Sequence, residues 1–298
     1  MAMLAWAYAS LSVQDCPLRQ AISSSALNPL SAFNSQDLAN IPWSCARRGF
    51  IHSPLLPALA SAARSRIDEF RPQERSNTSW SCATLPWCDP PLLKAIASAS
   101  RKLISNFSQQ HLANTAWSFA KLSFGHEPLM PSISAAALPQ SRELKPEACA
   151  GIAWSFSTLR VHVLPLMQSL SASAITSIQE FETFELAQPA WACAALLYPD
   201  QPLRSAISAA AIRRLCDLDE FAPPNIPALA WSIAQICMRD KTLIAALSAA
   251  ALGSKATLLW QDRATTAWSM AKLGFRHEPL MDAIAASAIP QICEFDTS

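Results

Sequence analysis

Apolar and small residues return along this chain in a fixed pattern around a tryptophan. Trp6, Trp43, Trp80, Trp117, Trp154 and Trp191 follow one another at 37 residues, Trp231 comes 40 further on, and Trp268 another 37. Taking the tryptophan as origin (W), apolar or small residues occupy W−4, W−1, W, W+2, W+3 and W+5. That is a wide face of period 3.6, which predicts a helix A from about W−7 to W+5. The Ala or Ser beside the tryptophan lets a neighbouring backbone come close. A second apolar run follows, anchored by leucine at W+12 in all eight copies: Leu18, Leu55, Leu92, Leu129, Leu166, Leu203, Leu243 and Leu280. It predicts a helix B, as in Leu129 to Ala137 and Leu280 to Ala288.

The turn between the helices is equally regular. W+11 is proline in every copy but one, where Thr242 stands, and W+9 carries Asp15, Asp89, Asp200, His126 or His277. Asp is a good N-cap, and proline is tolerated in a first helical turn, where its missing N–H would be unpaired anyway. W+27 is mostly aromatic: Phe33, Phe70, Phe107, Phe181 and Phe295.

A two-helix unit of this size cannot bury its own apolar face, and self-similarity at such a period marks stacked supersecondary units. The expected fold is all-α: an α-solenoid, a right-handed superhelical stack of about eight helix-turn-helix repeats. A single array over 1–298 is expected, with units near 1–34, 35–71, 72–108, 109–145, 146–182, 183–222, 223–259 and 260–298. The three extra residues of the longer step fall most simply in the Asp217–Pro224 connection.

Composition narrows the chemistry. Five glycines leave no Gly-rich phosphate loop, and the 22 prolines punctuate helix starts and unit boundaries. Half the residues are hydrophobic, yet no apolar run reaches the roughly 18 residues of a membrane span. Of nine cysteines, Cys45, Cys82 and Cys193 stand at W+2, where other copies carry Tyr8, Phe119, Phe156, Ile233 and Met270, so they read as core fillers. There is no C-x-x-C and no Cys/His cluster at ligand spacing, so neither a metal site nor another cofactor is expected, and the odd count fits a reducing compartment. His52, His126 and His277 recur at W+9 as part of the repeat, while His111 and His162 stand alone. With no nucleophile-base order and no nucleotide fingerprint, no enzyme and no small-molecule substrate are expected. The first residues lie within helix A and carry no Arg-rich presequence, and neither end reads as a polar cap, so a piece of a longer protein is expected.

On a helical wheel at about 100° per residue with W at the origin, W−6, W−3, W+1, W+4 and W+8 fall between about 40° and 120°. W−3 holds Asn40, Asn77, Asn114, Gln188 and Thr265, with Gly151 and Ala228 in two copies; W+1 is almost always serine. W+4 holds Arg47, Lys121, Lys272 and Gln235, and W+8 adds Arg239 and Arg276. Stacked, these positions make a ladder of amides beside a ladder of cations. Asn and Gln offer a donor and an acceptor to an unpaired base edge, and Lys and Arg hold phosphates, which suits single-stranded RNA. A solvated helix face is the alternative for each residue singly: the acids at W−6 (Asp37, Glu74, Glu185, Asp262) and the cations at W+4 are also what the helix dipole favours. The net charge of +1 is low for a nucleic-acid binder.

The frame Leu112-Ala-Asn-Thr-Ala-Trp-Ser-Phe-Ala-Lys-Leu122, repeated as Arg263-Ala-Thr-Thr-Ala-Trp-Ser-Met-Ala-Lys-Leu273 and followed in both by His-Glu-Pro-Leu-Met, resembles the octotricopeptide and heptatricopeptide repeats of algae, dinoflagellates and apicomplexans. The resemblance spans the chain and is weaker around Trp154, Trp191 and Trp231, where Gly151, Pro189 and Pro227 interrupt helix A. It implies an organellar RNA-binding protein, in a mitochondrion or chloroplast, acting in transcript stabilisation, processing or translation. Many relatives end in a RAP domain that this sequence lacks, so no cleavage is implied. Asn40, Asn77, Asn114, Gln188 and Thr265 are then the expected base readers, and Arg47, Lys121, Lys272, Arg239 and Arg276 the phosphate holders. The partner is single-stranded RNA, with protein partners also open and no membrane; a protein-interaction scaffold of the HEAT or armadillo type is the alternative function.

Overall fold

The computed structural model describes residues 2–10, 16–27, 30–85, 87–181, 185–186, 189–190, 192, 200–216, 225–235, 238–254 and 258–295. The Asp217–Pro224 connection and Gln188 lie outside them. The described residues are all-helical, without a strand. In chain order the helices are α1 (Ala2–Ser10), α2 (Cys16–Ala26), α3 (Ser35–Arg47), α4 (Leu55–Ser65), α5 (Pro72–Thr84), α6 (Pro90–Lys102), α7 (Gln109–Lys121), α8 (Leu129–Ala137), α9 (Pro146–Thr158), α10 (Leu164–Ser177), α11 (Gln201–Cys216), α12 (Asn225–Gln235), α13 (Lys241–Gly253), α14 (Trp260–Leu273) and α15 (Glu278–Phe295). They group into two compact bodies, Met1–Leu144 and Lys145–Ser298.

In the first body, A helices pack on A helices (α1 on α3, α3 on α5, α5 on α7) and B helices on B helices (α2 on α4, α4 on α6, α6 on α8). α3, α5 and α7 also meet the B helices that follow them, α4, α6 and α8. In the second body, α9 packs on α10, α10 on α11, α11 on α13 and α13 on α15, while the A helices α12 and α14 lie together.

Similar chemistry starts and stops several of the A helices. At the start of α3 the Asn34 Oδ1 accepts from the Asp37 N–H at 2.8 Å, and the Asp37 carboxylate accepts from the Asn34 N–H at 3.3 Å, a capping box. Glu74, 3% exposed, accepts from the Arg71 N–H at 2.8 Å, and Asp262 from the Leu259 N–H at 3.2 Å. In α7 the W−6 residue is His111, whose Nδ1 accepts from the Ser108 N–H at 3.3 Å; burial lowers its pKa. The W−6 carboxylates Asp37, Glu74 and Asp262 are therefore absorbed in caps.

Helix A ends on a left-handed residue at W+6: Gly49 (φ 61), Ser123 (φ 51), Arg160 (φ 55) and Gly274 (φ 68). The N–H at W+7 then donates back to the W+2 carbonyl, Phe50 to Cys45, Phe124 to Phe119, Val161 to Phe156 and Phe275 to Met270, at 2.8–3.0 Å. This is a Schellman closure, which favours glycine at the left-handed position. Ser123→Gly and Arg160→Gly are each expected to stabilise the fold by about 1 kcal/mol, the order of the left-handed penalty they remove. Equal or lower midpoints in urea denaturation would contradict this.

In α6, α11, α13 and α15 a W+9 side chain caps the start of helix B; α4, α8 and α10 start without one. Asp89 accepts from the Leu92 N–H at 2.9 Å, Asp200 from the Leu203 N–H at 2.9 Å, and His277 Nδ1 from the Leu280 N–H at 3.2 Å. Asp240 takes the Thr242 and Leu243 N–H groups and the Ser208 hydroxyl at 2.5 Å. The Ser208 hydroxyl foremost, aided by those amides and against some burial, holds its carboxyl below the ordinary range. At W+12 Leu55, Leu92, Leu129, Leu166, Leu203, Leu243 and Leu280 are buried, and so at W+27 are Phe33, Phe70, Phe107, Leu144, Phe181 and Leu258. Cys45 and Cys82 are buried as expected of core fillers; Cys193 is outside the described residues.

Candidate nucleic-acid interface

An A helix with neighbours on both sides and a B helix behind keeps one stripe open. The contact residues on its flanks are small. In α5 and α7 the positions W−4, W−1 and W+3 are Ser76, Ser79, Ala83, Ala113, Ala116 and Ala120, all buried. An indole cannot enter a seam built from Ala and Ser, so it lies outside. Trp6 is 43% and Trp268 45% exposed, and Trp43, Trp80 and Trp117 are half-buried. The tryptophan that reads as core in the sequence thus sits on the open stripe.

The serines at W+1 do the reverse. Ser44, Ser81, Ser118, Ser155, Ser232 and Ser269 are all buried, and each hydroxyl donates to the W−3 carbonyl four residues back, at 2.5–2.8 Å. A serine satisfied within its own helix is small enough for a tight helix contact and leaves no polar group unpaired. The wheel position is right; the side it faces is a neighbouring A helix rather than solvent. In α14, Ser269 and Thr266 are buried while Ala264 and Ala271 are exposed, so the hydroxyl side is the one turned to α12.

The open stripe is made of W−7, W−3, W and W+4. In the first body it reads Gln36, Asn40, Trp43, Arg47 on α3; Gln73, Asn77, Trp80, Thr84 on α5; Gln110, Asn114, Trp117, Lys121 on α7. No carboxylate stands in any of these positions. The glutamines are exposed and the asparagines half-buried. They share the tryptophan's side of the wheel, at about 20° for W−7, so the same periodicity could have found them. Arg47 and Lys121 are exposed, and the Lys121 ammonium lies 4.6 Å from the Trp117 ring centroid.

In the second body α14 repeats the arrangement with Gln261, Thr265, Trp268 and Lys272. Thr265 is half-buried and its hydroxyl donates to the Gln261 carbonyl at 2.8 Å. Lys272 lies 4.9 Å from the Trp268 ring centroid and donates to Gln235 Oε1 at 2.5 Å. Gln235 and Lys272 are both W+4 residues, 37 positions apart, so equivalent positions on α12 and α14 do adjoin as rungs. α9 departs from the pattern with Glu147 and Gly151, and α12 with Ala228.

Arg239 and Arg276 lie elsewhere. The wheel that put them in the stripe extends helix A to W+8, but the described A helices stop at or just past W+4. Both arginines are exposed in the A-to-B turns, where Arg276 pairs with Glu278 at 3.2 Å. Of the five amide positions, Asn40, Asn77, Asn114 and Thr265 lie on the stripe.

The chain matches no protein-family model, and no curated protein matches its sequence. Among the described residues no helix is long and apolar enough to cross a membrane, and no three His, Cys, Asp or Glu side chains cluster as a metal would require.

Proposed function

We propose that this chain is an α-solenoid of eight units with a period near 37 residues that binds single-stranded RNA along the open stripe of its A helices. The observation that carries this reading is the recurrence of Gln, Asn, Trp and a cation or threonine on three adjoining A helices, α3, α5 and α7, with no acid among them. Amides present paired donor and acceptor groups to base edges, and exposed cations take phosphate. Asn40, Asn77, Asn114, Gln188 and Thr265 read bases; Arg47, Lys121 and Lys272 hold phosphates from the stripe, and Arg239 and Arg276 from the adjoining turns. Stacked at the 8–10 Å typical of packed helices, such units take about one nucleotide each. A role in mitochondrial or chloroplast RNA metabolism follows from the resemblance of the repeat.

The test is selection from a randomised single-stranded RNA pool with the purified chain at near-physiological salt. An enriched motif of roughly one base per unit is expected. Asn114→Asp, which replaces an amide donor by an acceptor, is expected to change preference at one position of that motif while the others stay. No enrichment together with no bulk RNA binding would overturn the proposal and point to a protein partner.

A further inference from the structure

We infer that the repeated tryptophan is a stacking face for an unpaired base, and that in α7 and α14 the lysine four residues on covers that face until RNA arrives. The inference rests on the RNA-binding reading and adds to it what holds each base in place. On every described A helix the indole stands exposed or half-buried; on α3, α5 and α7 an amide holds W−3 beside it, and on α3, α7 and α14 a cation holds W+4. Every base has a π-face, so an aromatic platform binds without regard to sequence, leaving identity to the amide beside it.

The surroundings favour a base over an apolar peptide. A docking helix needs a continuous apolar groove for anchors at i, i+3, i+4 and i+7. Here the small residues at W−4 and W+3 that flank each indole in α5 and α7 are buried, and the exposed neighbours are amides and cations. On α3, α5 and α7 the tryptophans are separate flat faces at regular intervals on a polar ground, which matches the alternation of base and phosphate along a strand; α1, with Met3 and Leu4 exposed beside Trp6, departs from this.

The lysine geometry gives the order of events. The ammonium groups of Lys121 and Lys272 rest 4.6 and 4.9 Å from the centroids of Trp117 and Trp268, cation–π contacts of a kind that contributes little at an exposed site. A phosphate is a stronger partner for an ammonium than a ring. As the strand binds, the lysine exchanges the indole for phosphate, and the base takes the vacated face.

The experiment measures binding of oligouridylate and oligoadenylate, about ten nucleotides long, by filter retention and by tryptophan emission. Quenching is expected with both RNAs. Trp117→Leu, which keeps apolar bulk without a π-face, is expected to weaken both about tenfold, whereas Trp117→Phe retains most of the affinity. Circular dichroism confirms that both variants are folded, and the Phe variant carries the test if the Leu variant is not: it must bind near wild-type strength while losing part of the quench. Wild-type binding without quenching, and with Leu and Phe variants indistinguishable from wild type, would overturn the stacking inference and leave the RNA-binding reading standing. Absence of wild-type binding to either RNA would overturn both.

Discussion

Ser81→Leu is expected to destabilise the first body by about 2–3 kcal/mol, although the residue is polar and falls beside the amides on a helical wheel. Ser81 has no exposed surface, its hydroxyl donates to the Asn77 carbonyl at 2.6 Å, and α5 lies packed against both α3 and α7. A leucine there has to push two A helices apart, and a seam of Ala and Ser has no slack to take it up. For a body of this size the loss lowers the thermal midpoint by roughly 5–10 °C. Asn77→Leu, one turn back on the open stripe, is expected to stay within about 0.5 kcal/mol. If Ser81→Leu were as harmless as Asn77→Leu, the W+1 side would be open and the stripe described above misplaced.

The second large effect is on binding. Arg47→Glu combined with Lys121→Glu removes two cations from the stripe of the first body and puts two carboxylates in their place. Both side chains are exposed, and neither enters an ion pair among the described residues, so folding is expected to change little. Single-stranded RNA affinity is expected to fall about 100-fold near 0.1 M salt, and the slope of log K against log salt to flatten by roughly 1.4, two phosphates at about 0.7 each. An unchanged slope would place the phosphate track elsewhere on the molecule.

Much of the architecture is legible in the sequence, for identifiable reasons. A tryptophan, a proline and a leucine at fixed offsets carry enough information to phase each copy, and Asp89 and Asp200 cap helix B where the spacing puts them. The side each residue faces is less legible. A wheel gives relative angles, and an amphipathic reading assigns the apolar side to the core, which holds for a helix buried on one side. An A helix with two neighbours and a B helix behind is covered over most of its circumference, and the covered flanks are chosen for size as much as for polarity. Ser118, polar and small, goes inside; Trp117, apolar and large, stays at the rim.

Two further features had no signal in the repeat. Ser123 and Arg160 adopt the left-handed conformation that Gly49 and Gly274 fill without strain, because the Schellman closure imposes it whatever the residue. Arg75 stands at W−5, where the adjoining helices α3 and α7 carry Leu38 and Leu112 and α14 carries Arg263, and is only 1% exposed. Its guanidinium donates to the Ala99 carbonyl at 2.7 Å and lies within 3.3–3.4 Å of the Ile67 and Asp68 carbonyls, and burial lowers its pKa against the pull of Asp68 and Glu74. Hydropathy alone puts such a residue outside; the ends of α6 and of the 3₁₀ turn at Ile67–Glu69 supply the carbonyls that admit it.

The central claim is that RNA lies on the open stripe of the A helices. Photo-crosslinking of the purified chain to 4-thiouridine-substituted single-stranded RNA, with the adducts located by mass spectrometry, tests it most directly. Adducts are expected within Gln36–Arg47, Gln73–Thr84, Gln110–Lys121 and Gln261–Lys272, the segments that carry W−7 to W+4. Adducts confined to the B helices, or RNA that binds without marking any of these four segments, would contradict the account.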